Sequence, residues 1–127
     1  MSIRHDPLLC RALARELDER HAGRRLRELG LDRDRRLATL RFRSGPGLLF
    51  LLHPETGQIL ETEGAHGPTR LELAGLRLEA VRAPVDERLL VLELPPAGQE
   101  GTPHRVVAEL HTNQWNLLLL RKAGEAE

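Results

Sequence analysis

Hydrophobic positions along this chain first recur at helical spacing and then at strand spacing. Between Pro7 and Ala22, the residues Leu9, Cys10, Leu13, Ala14 and Leu17 form one stripe, with Arg11, Arg15, Asp18 and Glu19 elsewhere around the turn. Asp6 can cap the first free amides. Pro7 at the first helical position gives up no bond, because its missing N–H would have been unpaired anyway. Gly23 is a fitting C-terminal stop. These features predict an amphipathic helix over residues 7 to 22, packed by its leucine face on whatever follows, with Cys10 in the core.

After Gly23 the period shortens. Leu26, Leu29 and Leu31, then Leu37, Leu40 and Phe42, flank a polar turn at Asp32 to Arg35, the pattern of a hairpin with one half-buried face. A third strand is expected at Leu48 to Leu52, launched by Ser44-Gly45-Pro46-Gly47. The Thr56-Gly57 turn leads into a short strand at Gln58 to Leu60, and Glu63 to Pro68 reads as a loop.

The pattern then echoes itself at an offset of 52 residues. Gly23-Arg24-Arg25-Leu26 corresponds to Gly75-Leu76-Arg77-Leu78, and Asp34-Arg35-Arg36-Leu37 with Leu40 corresponds to Asp86-Glu87-Arg88-Leu89 with Leu92. Each unit runs glycine, strand, polar turn, strand. Two copies make a duplicated hairpin, since a solenoid needs about three or more repeats. Pro95 to Pro103 is a loop, and a last hairpin joins His104 to Leu110 with Trp115 to Leu120. The expected fold class is α+β: an N-terminal helix packed on a β-sandwich of about eight short, mostly antiparallel strands from duplicated hairpins. Residues 1 to 127 read as a single domain, and the charged tail Arg121 to Glu127 looks like a domain edge, so an N-terminal fragment of a longer protein is expected.

Composition narrows the picture in three ways. Phe42, Phe50 and Trp115 are the only aromatic residues, so the core must be aliphatic. Cys10 is the only cysteine, which excludes an intrachain disulfide and fits a reducing, cytoplasmic compartment. No apolar run approaches the roughly 18 to 20 residues of a membrane span. Formal net charge is zero, yet residues 1 to 50 hold twelve arginines against seven acids and residues 51 to 127 hold seven basic residues against twelve acids. That asymmetry suits either a basic patch that steers a polyanion or pairing between the halves.

The sequence presents no catalytic arrangement. The histidines at 5, 21, 53, 66, 104 and 111 lack the spacing that aims two imidazoles at one metal, and they read as surface residues. Gly45-Pro46-Gly47 lacks the lysine and helix of a phosphate loop. Ser2, Ser44 and Cys10 have no recognisable base partner. Neither enzymatic activity nor a cofactor or metal is expected. Two segments suit binding instead. Arg88, held by Asp86 and Glu87 in the second repeat's turn, can present its fork to a phosphate or carboxylate, or can serve the turn's own ion pairs. Asn113, Gln114 and Asn116 put amides beside Trp115, a mixture suited to an unpaired nucleotide or to a core anchor with satisfied turn backbone.

Over nearly its whole length the chain resembles the N-terminal domain of the NFACT family, ribosome quality-control factors once called fibronectin-binding proteins. Leu13 to Leu17 with Gly23-Arg24-Arg25-Leu26 is similar to the family's opening helix and its E-L-x-x-x-x-x-G-x-R-I signature. His53-Pro54 is similar to its L-L-S-x-H-P strand end, Leu73 to Leu78 to its second L-x-G-x-R-I, and Glu109-Leu110 through Asn116 to Leu119 to its E-L-M-G-R-H-S-N-I-I-L segment. The resemblance implies a fold like the N-terminal domain of formamidopyrimidine-DNA glycosylases, and partners in tRNA, the large ribosomal subunit and neighbouring domains of the same protein. It implies that Glu87-Arg88 stands where the family's Asp-Arg pair acts in tRNA-dependent tailing; the RNA-binding residues expected in this chain are Arg88, Asn113 and Asn116 as contacts, with Glu87 positioning Arg88. The chain departs from the family at Thr112-Asn113-Gln114-Trp115, which replaces Gly-Arg-His-Ser, and lacks its helical Cys-Met-Leu-Leu-Arg-Lys segment between the repeats. The glycosylases work through an N-terminal Pro-Glu, whereas this chain begins Met1-Ser2-Ile3-Arg4, so repair catalysis is not expected. The alternative from a different class is a protein-interaction or dimerisation module without nucleic-acid function.

Overall fold

The computed structural model describes residues 7–53, 58–64, 67–94, 102–111 and 114–121. The opening helix α1 (Pro7–His21) ends where the sequence predicts, with Gly23 in the left-handed region at φ 89° and its N–H donated to the carbonyl of Leu78 at 2.7 Å. Its buried stripe is Cys10, Ala14, Leu17 and His21. Leu9 does not belong to it: the stripe is narrow, and Leu9, one position off, is 38% exposed.

The first sheet contains β1 (Leu26–Asp32), β2 (Leu37–Phe42), β3 (Gly47–Leu51), β4 (Gln58–Thr62) and β5 (Thr69–Glu72), in the order β4-β3-β2-β1-β5. The second contains β6 (Ala80–Arg82), β7 (Leu89–Glu93), β8 (Pro103–His111) and β9 (Gln114–Arg121), in that order. All the strand pairs are antiparallel. Nine strands are thus present among the described residues, against about eight expected. The addition is β5, whose only strongly apolar residue is Leu71 and which gives a weak alternation signal.

The sheets repeat one design, β1-β2-β3-β4 in the first and β6-β7-β8-β9 in the second, and β2 and β7 begin 52 residues apart at Leu37 and Leu89. The duplication also shows in how the halves join. Arg25 pairs with Arg77, its own equivalent, in an isolated antiparallel bridge. The flanking bonds, Leu26 N–H to Leu76 O and Leu78 N–H to Arg24 O, both 2.9 Å, exchange with each other under the same offset. A local pseudo-twofold axis therefore passes through this bridge. The segments leading into the two halves are exchanged as well: α1, which precedes the first, packs on β6 and β7, while β5, which precedes the second, pairs with β1. Asp18 fastens α1 to its host by accepting the Val81 N–H at 2.8 Å.

One hydrophobic cluster runs through both sheets and α1. Leu29, Leu40, Phe50, Leu78, Leu90, Leu92, Val106 and Leu110 are almost fully enclosed in it. Each enclosed leucine contributes about 1.5–3 kcal/mol relative to exposure. Cys10 lies in this cluster as expected, and its aromatic content is Phe42 and Phe50.

Candidate functional site

The β1–β2 turn reverses its strands within four residues and the β6–β7 turn within six, and in the second the reversal sets the geometry of Arg88. Asp86 takes the left-handed region at φ 61°, which aspartate tolerates better than most side chains, and the Glu87 N–H donates to Pro84 O at 3.4 Å. Asp86 and Glu87 consequently stand in solvent while Arg88 is half-buried. The Arg88 carbonyl accepts the Leu110 N–H at 2.8 Å, tying the turn to β8.

Strand register carries this end of the sheet across to the other predicted residues. Leu89 lies opposite Glu109, and Glu109 lies opposite Asn116. The Asn116 amide donates from Nδ2 to Glu109 Oε1 at 3.4 Å. A depression of about 520 Å3 lined by Pro7, Asp86, Glu87, Arg88, Leu89 and Glu109 opens beside the turn. Asn116 borders a different depression of about 350 Å3, whose other walls include Asp32, Arg33, Arg36 and Leu52. The structure thus brings Glu87 and Arg88 into one depression and sets Asn116 in a neighbouring one, with Glu109 as the link. Asn113 lies outside the described residues. In the sequence Glu109 stands out only as part of the segment that resembles the family; the β8–β9 register, which matches it with Asn116, places it at this site.

The depression beside Arg88 holds three carboxylates, from Asp86, Glu87 and Glu109, against that one guanidinium. Such a surface does not attract phosphate by itself. Its chemistry suits base edges, where carboxylates accept exocyclic amino groups and an arginine fork meets paired acceptors. Among the described residues, no group of three or more His, Cys, Asp or Glu side chains could hold a metal ion.

A second polar cluster corrects the reading of the histidines as surface residues. His21 is only 2% exposed, because it extends the α1 stripe by one turn and stacks on Phe42 with ring centroids 5.4 Å apart and planes 8° apart. Arg24 lies over the same ring, its Cζ 3.9 Å from the centroid, and its Nη1 sits 2.6 Å from His21 Nδ1. Arg24 Nη2 also donates to the carbonyls of Ser44, at 2.5 Å, and Pro46, at 3.0 Å, closing the β2–β3 loop. Burial, reinforced by the positive charge of Arg24, holds the His21 imidazole below its ordinary pKa, while Glu61, 3.5 Å from Nε2, pulls the other way. Burial likewise lowers Arg24. In the second half the equivalent positions are Leu73, Leu76 and Leu94, so the cluster is a polar variant of a core contact made twice.

The charge asymmetry is only partly internal pairing. Arg20–Glu61 and Arg70–Glu28, each at 3.3 Å, join the first 50 residues to the rest, whereas Arg41–Glu28, Arg82–Glu93 and Arg105–Glu93 stay within one region.

By sequence, no family model and no curated protein matches this chain. Among solved structures, it superposes on the N-terminal domain of fibronectin-binding protein PavA from Streptococcus pneumoniae with a TM-score of 0.70 and 17% identity, over 93% of this chain and 50% of that one. The chain spans about half the length of that structure. What it shares with the PavA domain is the fold: one N-terminal helix on two antiparallel sheets.

Proposed function

We propose that this chain is an RNA-docking module of a cytoplasmic ribosome quality-control factor, binding tRNA and the large ribosomal subunit, and that it performs no catalysis of its own. The observation that carries the proposal is the shared location of the Asp86-Glu87-Arg88 turn, Glu109 and Asn116 at one end of the second sheet, beside open depressions. Likeness in fold to the PavA N-terminal domain adds support to the NFACT resemblance. In this reading Arg88 and the surrounding carboxylates meet unpaired bases, Glu87 positions Arg88, and Asn116 adds an amide oriented by Glu109. No helix among the described residues is long and apolar enough to cross a membrane.

The test is fluorescence-anisotropy titration of labelled tRNA with the wild-type chain and with Arg88→Glu. Reversing a charge in an already acidic depression should weaken binding by about 1–3 kcal/mol, roughly 5- to 150-fold. Equal affinity of the two proteins would refute the assignment of Arg88.

One observation favours a second reading. On the outer face of β9, Leu118 is 44% and Leu120 38% exposed, on a strand at the edge of its sheet. An apolar edge of this kind suits a protein partner, and PavA, whose N-terminal domain shares the fold, is a fibronectin-binding protein. Self-association insensitive to salt and abolished by Leu118→Lys would favour that reading over RNA docking.

A further inference from the structure

The depression beside Arg88 carries too little positive charge to hold a polyanion, so an RNA-docking chain needs its phosphate contacts elsewhere. The motif carried twice by the repeat supplies them. Arg25 and Arg77, one from each copy, face each other in the bridge on the pseudo-twofold axis. On the other side of Arg25 stands Arg43: its N–H donates to Arg25 O at 2.8 Å, and the adjoining residues Leu26 and Phe42 are in register. Leu26, Phe42 and Leu78, which alternate with these arginines along the chain, are buried, so Arg43, Arg25 and Arg77 project together from the opposite face. All three are exposed. Neighbouring strands are about 4.8 Å apart, so the row spans roughly 10 Å.

Four outer-face arginines on the flanking strands are neutralised. Glu28 is held between Arg41 at 3.7 Å and Arg70 at 3.3 Å, and Glu93 between Arg82 at 3.5 Å and Arg105 at 2.7 Å. Each half has one carboxylate gripped by arginines from the strands on either side. Between these two clusters, Arg43, Arg25 and Arg77 have no hydrogen bond or ion pair through their side chains among the described residues. Arg27, exposed in the β1 bulge, adds a further cation, while exposed acids stand nearby at Glu79, two positions after Arg77, and at Glu72, in register with Glu28. Like charges directly opposite each other across strands destabilise a sheet, and the chain does so here with the same residue of both repeats.

We propose that Arg43, Arg25 and Arg77 form a phosphate-binding row that grips the sugar-phosphate backbone of the RNA. The inference rests on the RNA-docking reading above and divides the work: the row supplies electrostatic affinity, while the Arg88 end, at the opposite end of the β6–β7 hairpin, reads bases. Three guanidinium groups in one row can each meet one phosphate of a single strand. The planar guanidinium fork suits each phosphate better than an ammonium would.

The experiment compares the salt dependence of labelled-tRNA binding for the wild type, for Arg25→Gln/Arg43→Gln/Arg77→Gln, and for a control, Arg11→Gln/Arg15→Gln, in exposed positions of α1. Each lost phosphate contact to a single strand removes about 0.7 from the log–log salt slope, so the triple variant's slope should fall by about 2. Between 50 and 200 mM salt, the wild type should then lose about 20-fold more affinity than the triple variant, and the control should follow the wild type. Thermal melting should show the triple variant at least as stable as the wild type, since it removes repulsion. If it fails to fold, Arg25→Gln and Arg77→Gln separately should each lower the slope by about 0.7. Binding with an unchanged slope in the row variants would overturn this inference and leave the RNA reading intact. Absence of any tRNA binding by the wild type would overturn the RNA reading and the inference with it.

Discussion

His21 makes the stability of this fold sensitive to mild acid. In the folded chain its imidazole is enclosed against Phe42 and beside Arg24, and desolvation followed by the Arg24 charge lowers its pKa; Arg20 acts in the same direction and Glu61 against it. In the unfolded chain the same group titrates near 6.5. Below that pH the unfolded state binds a proton that the folded state resists, so stability falls as pH drops, with a slope that approaches one proton, about 1.4 kcal/mol per pH unit, and levels off below the folded pKa. Above about pH 7.5 both states hold a neutral imidazole and the contribution vanishes. The perturbation is His21→Gln, which keeps a polar side chain and removes the titration. Because carboxylates also titrate in acid, the quantity to follow is the difference in unfolding free energy between wild type and variant, measured by urea denaturation from pH 7.5 to 5. The wild-type advantage should be constant at the alkaline end and shrink below pH 6.5. A difference that is independent of pH, or grows in acid, would refute the placement of a neutral His21 in the core.

Three further substitutions test how the halves are joined. Asp18→Ala strands the Val81 N–H that Asp18 accepts at 2.8 Å and should destabilise the chain by about 1–3 kcal/mol in urea unfolding. Leu78→Ala removes a fully buried side chain beside the pseudo-twofold axis and should cost about 2–5 kcal/mol by the same measurement. Gly67 has φ 95°, and a Cβ there would overlap the Leu31 carbonyl oxygen; Gly67→Ala should destabilise by more than about 1 kcal/mol and speed hydrogen exchange in the neighbouring β5.

The local signals of the fold were legible and the long-range ones were not. Alternation from Leu26 to Phe42 and a glycine at each repeat start give the hairpins, because these follow from side chains a few residues apart. Sequence could not show α1 crossing to β6 and β7, since that depends on a contact such as Asp18 with Val81, 63 residues away. The burial of His21 is legible in helix periodicity, since it falls four residues after Leu17 on the stripe, but not in metal-ligand spacing. Arg88 and Asn116 were named from local chemistry, yet the acidic surroundings that redefine Arg88 include Glu109, placed there by strand pairing. Arg25 and Arg77 were visible as an echo, but a matching pair in sequence does not say that the two residues face each other.

The most direct test of RNA docking is residue-resolved NMR of the isotope-labelled chain titrated with unlabelled tRNA. Docking as proposed predicts the largest shifts at 86–89, Glu109 and Asn116, with a second set at Arg25, Arg43 and Arg77. Shifts confined to the outer face of β9 around Leu118 and Leu120, or none at saturating tRNA, would contradict it.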